Sequence, residues 1–106
     1  MRKSIKEAIT STVEDMKEIE ISKTPKQKIL DNICYTELVY ERINKKLNIS
    51  LSKQEIEAYL FKTLDKTDES HFTKIGKNYY VENKEESIRI TINSNTFRII
   101  TVDKID

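Results

Sequence analysis

The chain has 106 residues, with 19 Lys and Arg against 18 Asp and Glu, which gives a formal net charge of +1. Domains typically contain about 100–150 residues, so this length predicts a single domain. The balanced charge argues against general binding of duplex nucleic acid, because such binders usually carry a basic excess.

Scarce residue types exclude several other classes. A single cysteine, Cys34, cannot form an internal disulfide, and with the single histidine His71 it cannot supply a four-ligand zinc site. A single glycine, Gly76, excludes glycine-rich phosphate loops, so we expect no cofactor. The chain has no apolar run of about 20 residues and no signal-like N-terminus. We therefore expect a cytosolic protein without membrane contact.

Residues 1–22 carry a predicted amphipathic helix, from Ser4 to about Glu20. Its apolar positions recur at steps of three and four residues; they are Ile5, Ala8, Ile9, Thr12, Val13, Met16 and Ile19. Such a helix could pack on the domain, bind a partner protein, or self-associate with a second copy through Ile5, Ile9, Val13 and Met16.

Residues 25–66 form the predicted helical part. Thr24 can cap a helix that has Pro25 in its first position and Gln27 at the capping-box position. The apolar period continues to about Leu47 and predicts a long helix. The segment Cys34-Tyr35-Thr36 is poor in helix formers, and it is the place where this helix could break.

The clearest local signal is a capping box. Ser52 and Glu55 have the S-x-x-E spacing, and Leu51 and Ile56 fit the accompanying hydrophobic staple. A helix is therefore predicted from Lys53 to near Lys66.

Residues 71–105 form the predicted antiparallel sheet, because the apolar period changes to two. The first hairpin pairs Phe72–Ile75 with Tyr79–Glu82, around a turn that contains the only glycine. The second pairs Ser87–Asn93 with Thr96–Lys104 around Ser94-Asn95. A two-residue turn there places Ile92 opposite Phe97, Ile90 opposite Ile99, Ile88 opposite Thr101, Thr91 opposite Arg98, and Arg89 opposite Ile100. The predicted fold is α+β, with two to three helices before about four strands.

The solvent face of this sheet is where a site would form. The alternation places polar side chains there, with one of two tyrosines according to register; they are Arg89, Thr91, Asn93, Arg98, and Tyr79 or Tyr80. Lys74, Lys77 and His71 fall near the rim. Guanidinium and tyrosine groups could hold a phosphodiester and stabilise charge during its cleavage without a metal. The same alternation is also typical of an ordinary solvated sheet face.

Other candidate residues have simpler interpretations. His71 is the natural proton carrier if the protein is a catalyst, but a lone histidine between a helix and a strand more often faces water. Cys34 is interpreted as a small core residue. The acidic runs Asp65–Glu69 and Glu82–Glu86 lack calcium-loop spacing and are interpreted as solvated turns, so no metal site is expected.

Four stretches resemble a family of small, functionally uncharacterised proteins of Gram-positive bacteria and their mobile elements. They are Asn32–Asn44, Thr67–Ser70, Ile75–Tyr80 and Arg89–Asp103, within a match of about residues 29–105. That resemblance implies no chemistry. In pattern only, helices before a sheet with a polar open face are similar to RelE-type and barnase-like ribonucleases.

We therefore expect a non-enzymatic module that binds a partner protein, using Tyr79, Tyr80, Arg89, Thr91 and Arg98. Tyrosines outside the core would serve as anchors for that partner. The alternative is a metal-independent endoribonuclease in which Arg89 and Arg98 hold the phosphate and His71 or Tyr80 transfers the proton.

Overall fold

The computed structural model describes residues 23–105, so the helix predicted over Ser4–Glu20 lies outside the described residues. Three helices precede four strands: α1 (Pro25–Asn32), α2 (Val39–Leu47), α3 (Lys53–Lys66), a 3-10 turn (Glu69–His71), β1 (Phe72–Ile75), β2 (Asn78–Asn83), β3 (Ile88–Asn93) and β4 (Ile99–Lys104). The strands form one antiparallel sheet in the order β1-β2-β3-β4. The predicted α+β arrangement of helices followed by a sheet is confirmed. None of the helices within residues 23–105 is long and apolar enough to cross a lipid bilayer.

The single long helix predicted from Pro25 to Leu47 is two helices. The Thr24 hydroxyl caps α1 by accepting from the Gln27 N–H at 3.2 Å, as predicted. The Gln27 side chain, however, donates to Asp31 at 3.0 Å and does not complete a capping box. The helix stops at Asn32 because the following residues turn toward the sheet. The Cys34 N–H donates to the Phe97 carbonyl at 3.0 Å, and the Ile99 N–H donates to the Cys34 carbonyl at 3.0 Å.

The connection between α2 and α3 is held by hydrogen bonds from the side chain of Asn44 to the backbone of Leu51. Asn48 ends α2 in the left-handed conformation, with φ 57°. The Asn44 amide then donates to the Leu51 carbonyl and accepts from the Leu51 N–H, both at 3.0 Å. These two bonds fix where α3 begins, because Leu51 directly precedes the cap residue.

Helix α3 begins as the capping box predicts. The Ser52 hydroxyl accepts from the Glu55 N–H at 3.1 Å, and the Glu55 carboxylate accepts from the Ser52 N–H at 2.8 Å. The inner face of the helix is buried and lies in the same core as α1, α2 and one face of the sheet. The fully buried members of this core include Ile29, Ile43, Ile56, Leu60, Leu64, Val81, Ile90, Ile92 and Val102.

The first hairpin forms as predicted, with Gly76 at φ 61°, but Asn78 pairs with Ile75 and begins β2, so the turn has two residues where the sequence predicted three. The register predicted for the second hairpin is wrong. Ile92 pairs with Ile99, Thr91 with Thr101 and Arg89 with Asp103, with a bulge between Thr91 and Ile92.

The cause of the register error is a longer loop. Five residues, Ser94–Arg98, separate β3 from β4. The Asn93 side chain accepts from the N–H groups of Asn95 and Thr96, each at 2.8 Å. Phe97 then adopts φ 61°, a left-handed conformation that bulky residues rarely take. This geometry lengthens the connection, so the Arg98 carbonyl accepts from the Asn93 N–H at 3.0 Å and Arg98 does not lie opposite Thr91.

Candidate functional site

A concave surface on the solvent face of β1, β2 and β3 is the candidate site, and we call it the sheet groove. It encloses about 530 Å³ and is lined by Ser70, His71, Thr73, Ile75, Tyr80, Glu82 and Arg89. These residues come from the 3-10 turn and three strands, so the groove is a product of the sheet register and of the turn that precedes it.

Cross-strand pairing explains which side chains share this face. Thr73 pairs with Tyr80, Tyr80 with Thr91, and Thr91 with Thr101, which forms one row across all four strands. Directly paired residues point to the same face of an antiparallel sheet. The neighbouring row contains Glu82, Arg89 and Asp103.

The charges in the groove nearly cancel. Arg89 Nη1 lies 3.6 Å from Glu82 Oε2, and both side chains are roughly half exposed. An ion pair this exposed contributes only about 0–1 kcal/mol to stability. Its larger effect is on recognition, because the carboxylate offsets the field that the guanidinium would present to an anion.

His71 is positioned by the turn between α3 and β1. The Asp68 carboxylate accepts from the Ser70 N–H at 3.0 Å and from the Ser70 hydroxyl at 2.6 Å. The hydrogen bonds from the Ser70 side chain and backbone hold the pKa of Asp68 below its ordinary value. The backbone N–H of His71 donates to the Asp68 carbonyl at 3.0 Å. This bond fixes the turn, and the exposed imidazole of His71 lies at one end of the groove.

The structure brings together three of the residues named from the sequence: His71, Tyr80 and Arg89 line one groove. Thr91 shares a row with Tyr80 but is only 6% exposed and is not among the residues that line the groove. Tyr79 is 7% exposed and belongs to the hydrophobic core on the opposite face. The choice left open between the two tyrosines therefore falls on Tyr80.

Arg98 is not among the lining residues of the groove. It forms an isolated parallel bridge with Cys34 in the loop before β4, and the expectation that it faces Thr91 across the ladder is wrong. Cys34, expected in the core, is exposed, and its thiol lies 3.4 Å from the Thr96 carbonyl. The rim residue Lys74 pairs with Tyr79, which places it toward the other face of the sheet.

Sequence reasoning missed Glu82, which was grouped with the acidic turn residues. The signal that could have found it is the alternation within β2, since Glu82 is two positions from Tyr80 and must share its face. Ile75, which is 63% exposed, was also missed as an apolar member of the groove.

The other tyrosines are less available as anchors than expected. The Tyr40 hydroxyl donates to Glu57 at 2.6 Å, and the Tyr59 hydroxyl donates to Glu86 at 3.0 Å. Burial and these carboxylates raise the pKa of each phenol to about 12. The Tyr35 and Tyr40 rings stack with centroids 5.4 Å apart. These tyrosines stabilise the helical part, which leaves Tyr80 as the one that lines the groove.

Within residues 23–105, no three or more His, Cys, Asp or Glu side chains are grouped so that they could hold a metal ion. The groups that line the groove are a guanidinium, a carboxylate, an imidazole, a phenol and the hydroxyls of Ser70 and Thr73, beside the apolar side chain of Ile75.

The fold and the groove define a small α+β domain with a mixed polar and apolar concavity on an open sheet face. Residues 27–103 match the model of a family described as "Protein of unknown function (DUF3781)", and the chain belongs to that family. Neither the curated proteins nor the solved structures contain a match to this chain.

Proposed function

We propose that this protein is a non-enzymatic interaction module that binds a partner protein through the sheet groove. The observation that supports the proposal most is the combination of Tyr80, Arg89 and the exposed Ile75 in one concave surface. Tyrosine and arginine are the residue types that most often dominate binding energy at protein interfaces. The Glu82 carboxylate beside Arg89 makes the groove nearly neutral, which suits a protein surface better than a polyanion.

The test is affinity capture from the source cell with four tagged proteins: wild type, Tyr80→Ala, Arg89→Ala and Arg98→Ala. Arg98→Ala is the matched control, because it removes an arginine outside the groove. We expect one partner to be retained by wild type and Arg98→Ala and reduced at least about fivefold by the two groove variants, a loss of about 1 kcal/mol. Equal capture by all four proteins, or none by the folded wild type, would reject the proposal.

Two wider expectations belong to the same proposal: a cytosolic location, and an origin in Gram-positive bacteria or their mobile elements. The first rests on the lack of an apolar run of about 20 residues, and the second on the resemblance of the quoted stretches. Cell fractionation with an antibody to the native protein tests the location. Self-association through residues 1–22 is a further expectation, and light scattering of the purified protein at high concentration tests it.

A metal-independent endoribonuclease is the second candidate. It is favoured by one observation, that His71, Tyr80, Glu82 and Arg89 line the same groove. Arg89 would hold the phosphate. The RNA 2′-oxygen would bond to phosphorus while its proton passes to Glu82 or His71, and the 5′-oxygen would leave with a proton from His71 or Tyr80. The products would be a 2′,3′-cyclic phosphate and a free 5′-hydroxyl.

End-labelled RNA incubated in EDTA tests this candidate. Defined cleavage by wild type and Arg98→Ala, lost in Arg89→Ala, would establish the ribonuclease and displace the binding module. Intact RNA with folded wild type would remove this candidate.

A further inference from the structure

The two edges of the sheet differ in how far other described residues cover them. The outer edge of β4 is covered at its start: Cys34 exchanges backbone hydrogen bonds with Phe97 and Ile99, and Arg42 Nη1 donates to the Ile100 carbonyl at 3.2 Å. The outer edge of β1 lies at the other end of the strand order, and three of its four residues are exposed. An edge strand presents unpaired backbone groups to any chain that can align with it.

The hairpin geometry identifies those groups. The two-residue turn makes Ile75 and Asn78 the closing pair, and in such a turn the closing pair exchanges both hydrogen bonds. The backbones of Thr73 and Ile75 therefore face β2, and those of Phe72 and Lys74 face outward. The Phe72 N–H already donates to the Glu69 carbonyl. Among the backbone bonds formed within residues 23–105, the groups of β1 left for a new strand are the Phe72 carbonyl and both the N–H and the carbonyl of Lys74.

We propose that the partner contributes an extended segment that pairs with β1 as a fifth strand. The proposal rests on the function proposed above and specifies how the partner binds. Thr73 and Ile75 line the sheet groove and lie on the strand that the segment would join. A strand added there would place alternate side chains beside the groove, so that main-chain bonds supply affinity and the groove supplies specificity.

Charge and exposure define the chemistry of that segment. On the groove side its side chains lie next to Thr73 and Ile75, which favours apolar residues there. On the other face they lie next to Lys74, which is exposed, so an acidic residue is favoured. The segment is therefore an extended peptide with apolar and acidic residues at alternating positions.

Lys74 also argues against a second copy of the chain as the occupant. Antiparallel pairing of two β1 strands would bring both Lys74 side chains to one face, directly opposite or diagonally adjacent. Lysine on an edge strand is a common device against self-pairing. The same ammonium group that repels a second copy attracts an acidic peptide.

The experiment selects binders from a phage-displayed library of random twelve-residue peptides against the wild-type chain. We expect enriched peptides with the alternating pattern, and then measure one of them by anisotropy with Lys74→Ala and Lys74→Pro. Lys74→Ala keeps the N–H and serves as the matched control. Both variants lack the ammonium group; relative to Lys74→Ala, Lys74→Pro also lacks an outward N–H and has a fixed φ, which an edge strand tolerates. We expect Lys74→Pro to bind the peptide about tenfold more weakly than Lys74→Ala, the value of one well-placed hydrogen bond.

Equal affinities of Lys74→Ala and Lys74→Pro would overturn strand addition while leaving binding in the groove intact, since Arg89→Ala would still weaken it. Failure to enrich any peptide would overturn the inference, whereas affinity capture tests the proposed function separately. A dimer that Lys74→Pro converts to a monomer would overturn it in favour of a second copy. If Lys74→Pro does not fold, amide exchange in the wild type decides: peptide must slow exchange of the Lys74 N–H, and unchanged exchange rejects the inference.

Discussion

The Asn83 amide donates a hydrogen bond to the Thr67 hydroxyl at 2.8 Å, and this hydroxyl donates in turn to the Thr63 carbonyl at 2.6 Å. Asn83, Thr67 and Thr63 are all buried. The Asn83 oxygen also accepts from the Glu86 N–H at 2.8 Å. One side chain thus ties the end of α3 to β2 and to the following turn, immediately beside the segment that carries His71.

Replacing Asn83 by Ala should lower the free energy of unfolding by about 1–3 kcal/mol, because it leaves the Glu86 N–H and the Thr67 hydroxyl without this partner. Urea denaturation followed by circular dichroism measures the loss. The exposed Asn95→Ala is the control, expected within about 0.5 kcal/mol of wild type. Similar stabilities for the two variants would show that the network contributes little.

The capping box gives a second prediction. Ser52→Ala removes the hydroxyl that accepts from the Glu55 N–H, and a lost cap costs about 0.5–2 kcal/mol. Thermal unfolding compares it with Ser50→Ala, an exposed serine two positions earlier, which we expect to be neutral. A midpoint for Ser52→Ala that matches the control contradicts the prediction.

Substitutions at Gly76 distinguish destabilisation by backbone strain from destabilisation by steric crowding. It has φ 61°, and no heavy atom lies within 4 Å of where a Cβ would stand. Gly76→Ala should nevertheless destabilise the protein by about 1–2 kcal/mol, since alanine pays for the left-handed conformation. Gly76→Asn should cost less, because asparagine tolerates that region. Denaturation of both variants tests this order, and equal losses would point to another cause.

Alkaline pH should weaken the fold through Tyr59 and Tyr40. The pKa of each is raised to about 12, chiefly by burial and then by the hydrogen bond to Glu86 or Glu57, from an ordinary value of 10.0. The unfolded phenols therefore lose their protons first. The stability that they contribute is complete below about pH 10 and is lost as the pH rises toward about 12.

Tyr59→Phe isolates that effect. Urea unfolding at a series of pH values should show a shallower alkaline loss for the variant than for wild type. Only the difference between the two curves is informative, because every other titratable group is present in both proteins. Parallel curves would mean that Tyr59 titrates alike in the folded and unfolded chains.

The Glu82–Arg89 pair predicts that removing the carboxylate strengthens RNA binding. Glu82→Gln removes the carboxylate that offsets Arg89, so a fluorescent single-stranded RNA should bind about two- to fivefold more tightly at low salt, the range expected for an exposed ion pair. Adding Arg89→Ala should cancel the gain. An unchanged affinity in Glu82→Gln would show that the pair does not control the charge that the groove presents.

Local signals in the sequence predicted much of this architecture. The Ser52–Glu55 capping box and the turn at Gly76 depend on residues close in the chain, and both formed where expected. The break after Asn32 was visible only as weak helix propensity, because its cause is pairing of Cys34 with a loop more than sixty residues away.

The register of the second hairpin could not be predicted from alternation. It depends on the Asn93 side chain, which organises the loop, and on Phe97, which adopts a conformation normally left to glycine or asparagine. The same error moved Arg98 into the predicted site. Alternation placed Arg89 on the solvent face but left the choice between Tyr79 and Tyr80 open. It would have placed Glu82 on the same face as Tyr80 had the acidic run not been treated as one turn.

The bridge between Cys34 and Arg98 bears on how the chain folds. It pairs the loop before β4 with a segment that precedes α2 and α3, so the start of β4 is held by residues of the helical part. Contacts so distant in sequence raise the contact order, and loop closure must be completed before they stabilise anything. A chain that ended at Asn93 would lose both the loop that pairs with Cys34 and the strand on which α2 packs, and would expose Ile43 and Val39 to association with other chains.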